Sequence, residues 1–223
     1  MDSFRLCLAL GPVAMYLLLL GAVNLSRRSL LVSGVRDAAA LALAVSGMVV
    51  IGPMELFFPF ESAAKLGSYV WLLLLALYVM CVVLWLLLLR PRLVIYNISA
   101  DKLRPILADV VGQCNGDARW AGDSLAIPGL GVQLYMDNFA LLGSVSLISA
   151  GGNQNHLGWR RLETNLRAAL AREEVARNPR GLSLFVAGLA CVAGIVLAIA
   201  HNPEEVARSL LDVVRSLQKM LGL

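Results

Sequence analysis

The chain is poor in charge. Only 15% of its 223 residues are Asp, Glu, Lys or Arg, while 59% are hydrophobic. A soluble domain carries about 25% charged and about 45–50% apolar residues, so the deficit excludes an ordinary soluble domain and points to a multi-pass membrane protein. Histidine is scarcer still, with only His156 and His201. The crossings derived below put these two on opposite sides of a bilayer, where they cannot share a site. No G-x-S-x-G elbow accompanies His156, which opens a predicted helix and suits a capping role. The four cysteines, Cys7, Cys81, Cys114 and Cys191, form no CxxC pair, and three of them lie in apolar stretches. That spacing argues against a disulfide framework or a zinc site. No catalytic residue, metal or cofactor is expected, and the chain reads as non-enzymatic. Its net charge of +4 is distributed as a topology signal, which removes nucleic acid as a partner.

What the chain has is apolar length. Gly67 to Leu89 runs 23 residues without a charge and meets Arg90-Pro91-Arg92 at its end. At about 1.5 Å per residue it reaches about 34 Å, enough to cross a hydrocarbon core of about 30 Å. Tyr69, Trp71 and Trp85 stand near its two ends as interfacial aromatics, and large aliphatic side chains surround it, so it is expected to face lipid.

Three further runs qualify. Residues 6–23 form the first; it is longer than the apolar core of a signal peptide and no A-x-A site follows, so a retained helix with a kink at Gly11-Pro12 is expected. Residues 38–54 form the second, ended by a break at Pro53, with Phe57, Phe58 and Phe60 at the interface. Residues 181–200 form the fourth. The second and fourth runs carry small residues at helical spacing: Ala38, Ala42 and Ser46 on one, and Ala187, Cys191, Ala190, Gly194 and Ala198 on the other. Such faces permit close approach, and the two helices are expected to pack together.

Between the third and fourth runs the composition turns polar. Residues 91–180 predict a small α+β domain in the order β-α-β-β-β-α, an antiparallel sheet covered by helices. Leu93 to Ile98 reads as its first strand. Ser99 caps a helix over 100–114, with Leu103, Leu107, Val110 and Val111 on one face. Short strands follow around 118–120, 124–127, 132–136 and 140–148, then a helix over 156–177 with Leu162, Leu166 and Leu170 inward. After the fourth run, Asn202-Pro203-Glu204-Glu205 starts a C-terminal amphipathic helix over 203–223. Val206, Leu210, Val213, Val214, Leu217 and Leu221 make its apolar stripe.

Basic residues set the orientation. Arg27, Arg28, Arg36, Arg90, Arg92, Arg177 and Arg180 flank span ends on one side, against Arg5, Lys65, Arg208, Arg215 and Lys219 on the other. The positive-inside rule then predicts a cytoplasmic 91–180 domain with both termini outside, in a bacterial plasma (inner) membrane. Asn97-Ile98-Ser99 matches a glycosylation sequon that this orientation leaves unmodified.

Two places carry candidate chemistry. The loop Gly151-Gly152-Asn153 enters a helix N-terminus with Arg160 and Arg161 one turn on, a weak pattern for an anion or other ligand. Glu55 is the one acid near an intramembrane position, beside Pro53, where a transport or channel component would need it. The leading expectation is different: a scaffold, accessory subunit or signal-coupling component. Its partners would be the lipid bilayer and a protein or second copy, reached through 203–223 or the α+β domain.

Overall fold

The computed structural model describes residues 3–59, 65, 67, 69–113, 118–139, 142–152, 154–175 and 178–221, without the side chains of 217 and 219–221. In chain order the elements are α1 (Ser3–Leu25), β1 (Leu30–Ser33), α2 (Gly34–Val49), a π-helical turn (Val50–Met54), α3 (Tyr69–Leu88), β2 (Arg92–Tyr96), α4 (Ala100–Gln113), β3 (Arg119–Ala121), β4 (Ser124–Ile127), a 3-10 turn (Pro128–Leu130), β5 (Val132–Phe139), β6 (Ser144–Ser149), α5 (His156–Leu170), α6 (Arg180–His201) and α7 (Pro203–Leu221). Among the described residues, four helices are long and apolar enough to cross a membrane: Ser3–Leu25, Gly34–Met54, Tyr69–Leu88 and Arg180–His201. The structure is mostly helical, with one small sheet domain.

The chain divides into two compact units, one of residues 1–18, 39–88 and 186–223, the other of residues 19–38 and 89–185. In the first, helices touch through small residues. Gly47 of α2 lies so close to α1 that a Cβ there would strike the Leu8 carbonyl, and Gly188 of α6 sits against Leu18 of α1. The Tyr78 hydroxyl of α3 donates to the Ala42 carbonyl of α2 at 2.7 Å. Otherwise α3 shows its large side chains outward, with Leu73, Leu84 and Leu87 at 60%, 58% and 77% exposure.

Pro53 does not break the second span. Proline has no N–H, and in a regular turn its ring meets the carbonyl four residues back. The chain widens into the π turn Val50–Met54, which accommodates both defects, and helix resumes at Glu55 and Leu56.

The second unit is built on a six-stranded antiparallel sheet ordered β1-β2-β6-β5-β4-β3. Alternation sends Leu93, Ile95, Leu125, Ile127, Leu134, Val145 and Leu147 to one face, where α4 and α5 cover them with Leu103, Leu107, Val110, Leu162 and Leu166. Complete burial of one such aliphatic side chain contributes about 1.5–3 kcal/mol.

Two features correct the order expected from the sequence. Residues 91–180 hold β-α-β-β-β-β-α, one strand more than the expected order β-α-β-β-β-α counts, although each of the four strands after α4 overlaps a stretch expected as strand; β3 and β4 pair across the two-residue turn Gly122-Asp123. Gly122 supplies the positive φ (+62°) this turn requires. The sixth strand comes from the connection between the first two apolar helices: β1 pairs with β2, Leu31 opposite Ile95. Helix α5 also ends at Leu170, short of the predicted 177. Beyond it the chain is diverted to the α1–β1 connection, where the Val175 amide donates to the Arg27 carbonyl at 2.9 Å.

Candidate functional site

The loop entering α5 is tied down by its own polar groups. Asn155 caps the helix, its Oδ1 accepting from the amides of Leu157 and Gly158 at 3.0 and 3.4 Å. These are among the donors an anion would need. Gln154 is engaged at both ends of its amide. Its Oε1 accepts from the Trp159 indole at 2.8 Å, and its Nε2 donates to the carbonyls of Gln133 and Ala150. Gly151 (φ +94°) leaves room for the Gln133 side chain. Gly151 and Gly152 line an open cavity of about 580 Å³ with Arg90 and His156. Arg160 and Arg161 are exposed on α5 and are not part of that lining. Asn153 lies outside the described residues, as do Phe60, Cys114 and Arg177.

Glu55 is ion-paired. Its Oε1 lies 2.8 Å from Nη1 of Arg5, with the two side chains 37% and 47% exposed. Both residues line an apolar cavity of about 480 Å³ with Trp71 and Asp212. At that exposure the pair contributes at most about 1 kcal/mol.

The predicted packing residues divide unevenly. Ala38 and Ala42 are buried and Ser46 is half-buried with its hydroxyl on the Leu43 carbonyl. Gly47, which the four-residue spacing of the alanines does not include, makes the closest approach. On α6, Ala187 and Ala190 are exposed, Cys191 and Ala198 are half-buried, and Gly194 faces open space. The close contacts of α6 are with α1, where the sequence predicts α2. In the second unit, Gly181 lies against Asn24, and Gly21 lies against Phe185. Glycine brings the backbones nearer than alanine can, and here that decides the partner.

The densest polar arrangement in the second unit lies where helix ends join the sheet. Asp37, in the first turn of α2, accepts from Nη2 of Arg92 at 3.2 Å and from the Tyr96 hydroxyl, both on β2. Gly34 makes this possible, since a Cβ at that position would strike the Arg92 side chain. Nearby, Asn24 at the end of α1 is fully buried and Asn97 after β2 is 1% exposed. Asn97 adopts a left-handed conformation (φ 61°), which asparagine tolerates. Its Nδ2 donates to the carbonyls of Ser26 and Arg28 at 2.8 and 3.3 Å, and its amide to the Gly143 carbonyl. The Asn178 amide donates in turn to the Asn24 carbonyl at 3.0 Å. A folded chain therefore cannot present Asn97 for glycosylation.

These buried groups are incompletely satisfied. Among the described residues, Oδ1 of Asn24, Oδ1 of Asn97, Oγ of Ser29 and Nε of Arg92 have no hydrogen-bond partner. A buried unpaired polar atom costs about 1–3 kcal/mol. One local signal marks this cluster, an asparagine immediately after each of two apolar runs (Asn24 and Asn97), and local patterning does not reveal that the two are neighbours. The chain matches no protein-family model, no curated protein and no solved structure.

Proposed function

We propose that the chain is a non-enzymatic integral membrane protein whose sheet domain couples its spans to a partner. One observation carries this reading. The sheet is not hung on a linker: its edge strand β1 is the connection between α1 and α2, and the unit that contains it includes the end of α1, the start of α2 and the start of α6. A load applied to the sheet would pass into three spans through paired backbone and the Asp37–Arg92–Tyr96 cluster.

In this reading the sheet domain is cytoplasmic, and both termini are outside a bacterial plasma membrane, as the basic residues flanking the spans favour. Helix α7 lies along the outer leaflet. It begins at Pro203, directly after α6 ends at His201, so it has no spacer with which to leave the interface. Its apolar stripe supports the same placement, with Leu210, Val213 and Val214 between 43% and 49% exposed.

The test is purification of the full chain from native membrane, with its co-purifying proteins identified. Deleting 203–223 or substituting Leu31→Pro should each lose a partner that the wild type retains. An unaltered set of partners in both variants would contradict the reading.

A further inference from the structure

The sheet face opposite α4 and α5 is covered on one half and bare on the other. Alternation along the strands puts Val94 and Tyr96 of β2, Ser144 of β6, and Tyr135 and Phe139 of β5 on it. Its first half is closed: Val94, Tyr96 and Ser144 are buried. There Asp37, in the first turn of α2, accepts from the Tyr96 hydroxyl and from Arg92. Gly143, just before Ser144, packs against Asn24 at the end of α1 and Asn178 at the approach to α6. On β5 the cover stops, and Tyr135 and Phe139 are 45% and 50% exposed. The register sets Phe139 in one row with Ser144 and Tyr96, two strands and therefore about 10 Å from Tyr96.

The apolar helices that join this unit fix how the sheet lies. Two of them meet the Asn97 end of β2. Asn97 donates to the Ser26 carbonyl just past α1, and the Asn178 amide, just before α6, donates to the Asn24 carbonyl. The other two meet the Arg92 end. Helix α2 starts directly after Ser33, which lies opposite Leu93, and α3 runs into β2 through residues 89–91. Span ends on one side of a bilayer lie near one plane, so a strand with span ends at both its termini runs along the membrane surface. The face that holds Asp37 is the one turned toward it.

We propose that the bare half of this face, at Tyr135 and Phe139, rests on the lipid headgroup layer of the bilayer that the spans cross. It continues the half covered by span ends, on the same side of the sheet, and a tyrosine ring is at home at that depth. Asp137 lies between the two aromatics on the same face and is exposed. A carboxylate there holds the contact among the headgroups, because taking it into hydrocarbon is costly. Helices α4 and α5, on the other face, then look away from the membrane. The proposal rests on the apolar helices crossing a bilayer. It needs neither a cytoplasmic sheet domain nor a protein partner, so failure of the partner reading would leave it standing.

The experiment uses the full chain in phosphatidylcholine nanodiscs, with Cys7, Cys81, Cys114 and Cys191 replaced by alanine and one new cysteine labelled with bimane. Tyr135→Cys and Phe139→Cys report the face, and Ala168→Cys, at an exposed position of α5, reports the opposite layer. Emission from 135 and 139 should be lost to a nitroxide attached to the lipid headgroup, which should leave 168 bright. Iodide in the water should quench 168 and spare the other two. A nitroxide deep in the acyl chain should quench 139 less than the headgroup nitroxide does. Asp137→Cys supplies the same readout if both aromatic substitutions unfold the sheet. Iodide quenching at 135 and 139 equal to that at 168 would overturn the proposal. So would shielding from iodide without any quenching by lipid, which would mean that a protein covers the face. Stronger quenching by the deep nitroxide would overturn the headgroup placement.

Discussion

Leucine does opposite things in the two units. In the sheet domain Leu103, Leu107, Leu134 and Leu147 are completely buried, whereas in α3 Leu84, Leu87 and Leu88 are 58–77% exposed. The sheet domain is held together as a soluble protein is, by apolar side chains withdrawn from solvent. Lipid tails are as apolar as leucine, so helices in a bilayer gain little by hiding it and associate through close backbone contact. The small residues Gly47, Gly188, Ala38 and Ala42 therefore have the structural weight in the spans that leucine has in the sheet. The junction between sheet and helix ends follows a third rule, in which buried polar groups fix the connection and some remain unpaired.

Substitutions can break this contrast, and the largest effect should come from the sheet core. Leu147→Ala should cost about 2–5 kcal/mol, against within about 0.5 kcal/mol for Leu87→Ala, both measured by chemical unfolding of the full chain in detergent. Equal losses would dissolve the distinction. At the junction, Asp37→Asn should cost about 1–3 kcal/mol, because Arg92 would lose its carboxylate while its Nε already lacks a partner. In the spans, Gly47→Ala forces a methyl group against the Leu8 carbonyl and should cost about 1–3 kcal/mol. Gly52→Ala, with nothing within 4 Å of its Cβ position, serves as the control in a thermal-midpoint comparison. The smallest effect is expected at Glu55→Gln, under about 1 kcal/mol, since both side chains of the Arg5 pair are partly exposed. Ion flux in reconstituted vesicles should be unchanged by that substitution. A loss of flux would favour transport as the function.

The four apolar helices were legible in the sequence because their signal is local: length and the absence of charge suffice. The core faces of α4 and α5 were legible for the same reason, since Leu103, Leu107 and Val110, like Leu162, Leu166 and Leu170, recur at helical spacing. β1 was not. Leu30 to Ser33 is four residues long, and its partner Arg92–Tyr96 lies some 60 positions away, so no local period distinguishes it from loop. Pro53 misled because a proline marks a defect without specifying how the helix absorbs it. The choice of α1 as the neighbour of α6 escaped for a related reason: small residues line several faces of both helices, and only the assembled backbone selects Gly181 and Gly188. The predicted ligand loop is a loop, and two amides of the helix it enters, Leu157 and Gly158, are taken by the Asn155 side chain.

The central claim is that the α1–α2 connection belongs to the sheet domain. Amide hydrogen exchange of the full chain in nanodiscs, followed at residues 30–33 and at 92–96, tests it most directly. If β1 opens only with the sheet, those amides of 30–33 that bond to β2 should exchange on the same slow timescale as 92–96 and accelerate with them in Leu147→Ala. Fast exchange at every amide of 30–33 beside slow exchange at 92–96 would mean that the connection is an ordinary loop, and the proposed coupling would lose its physical link.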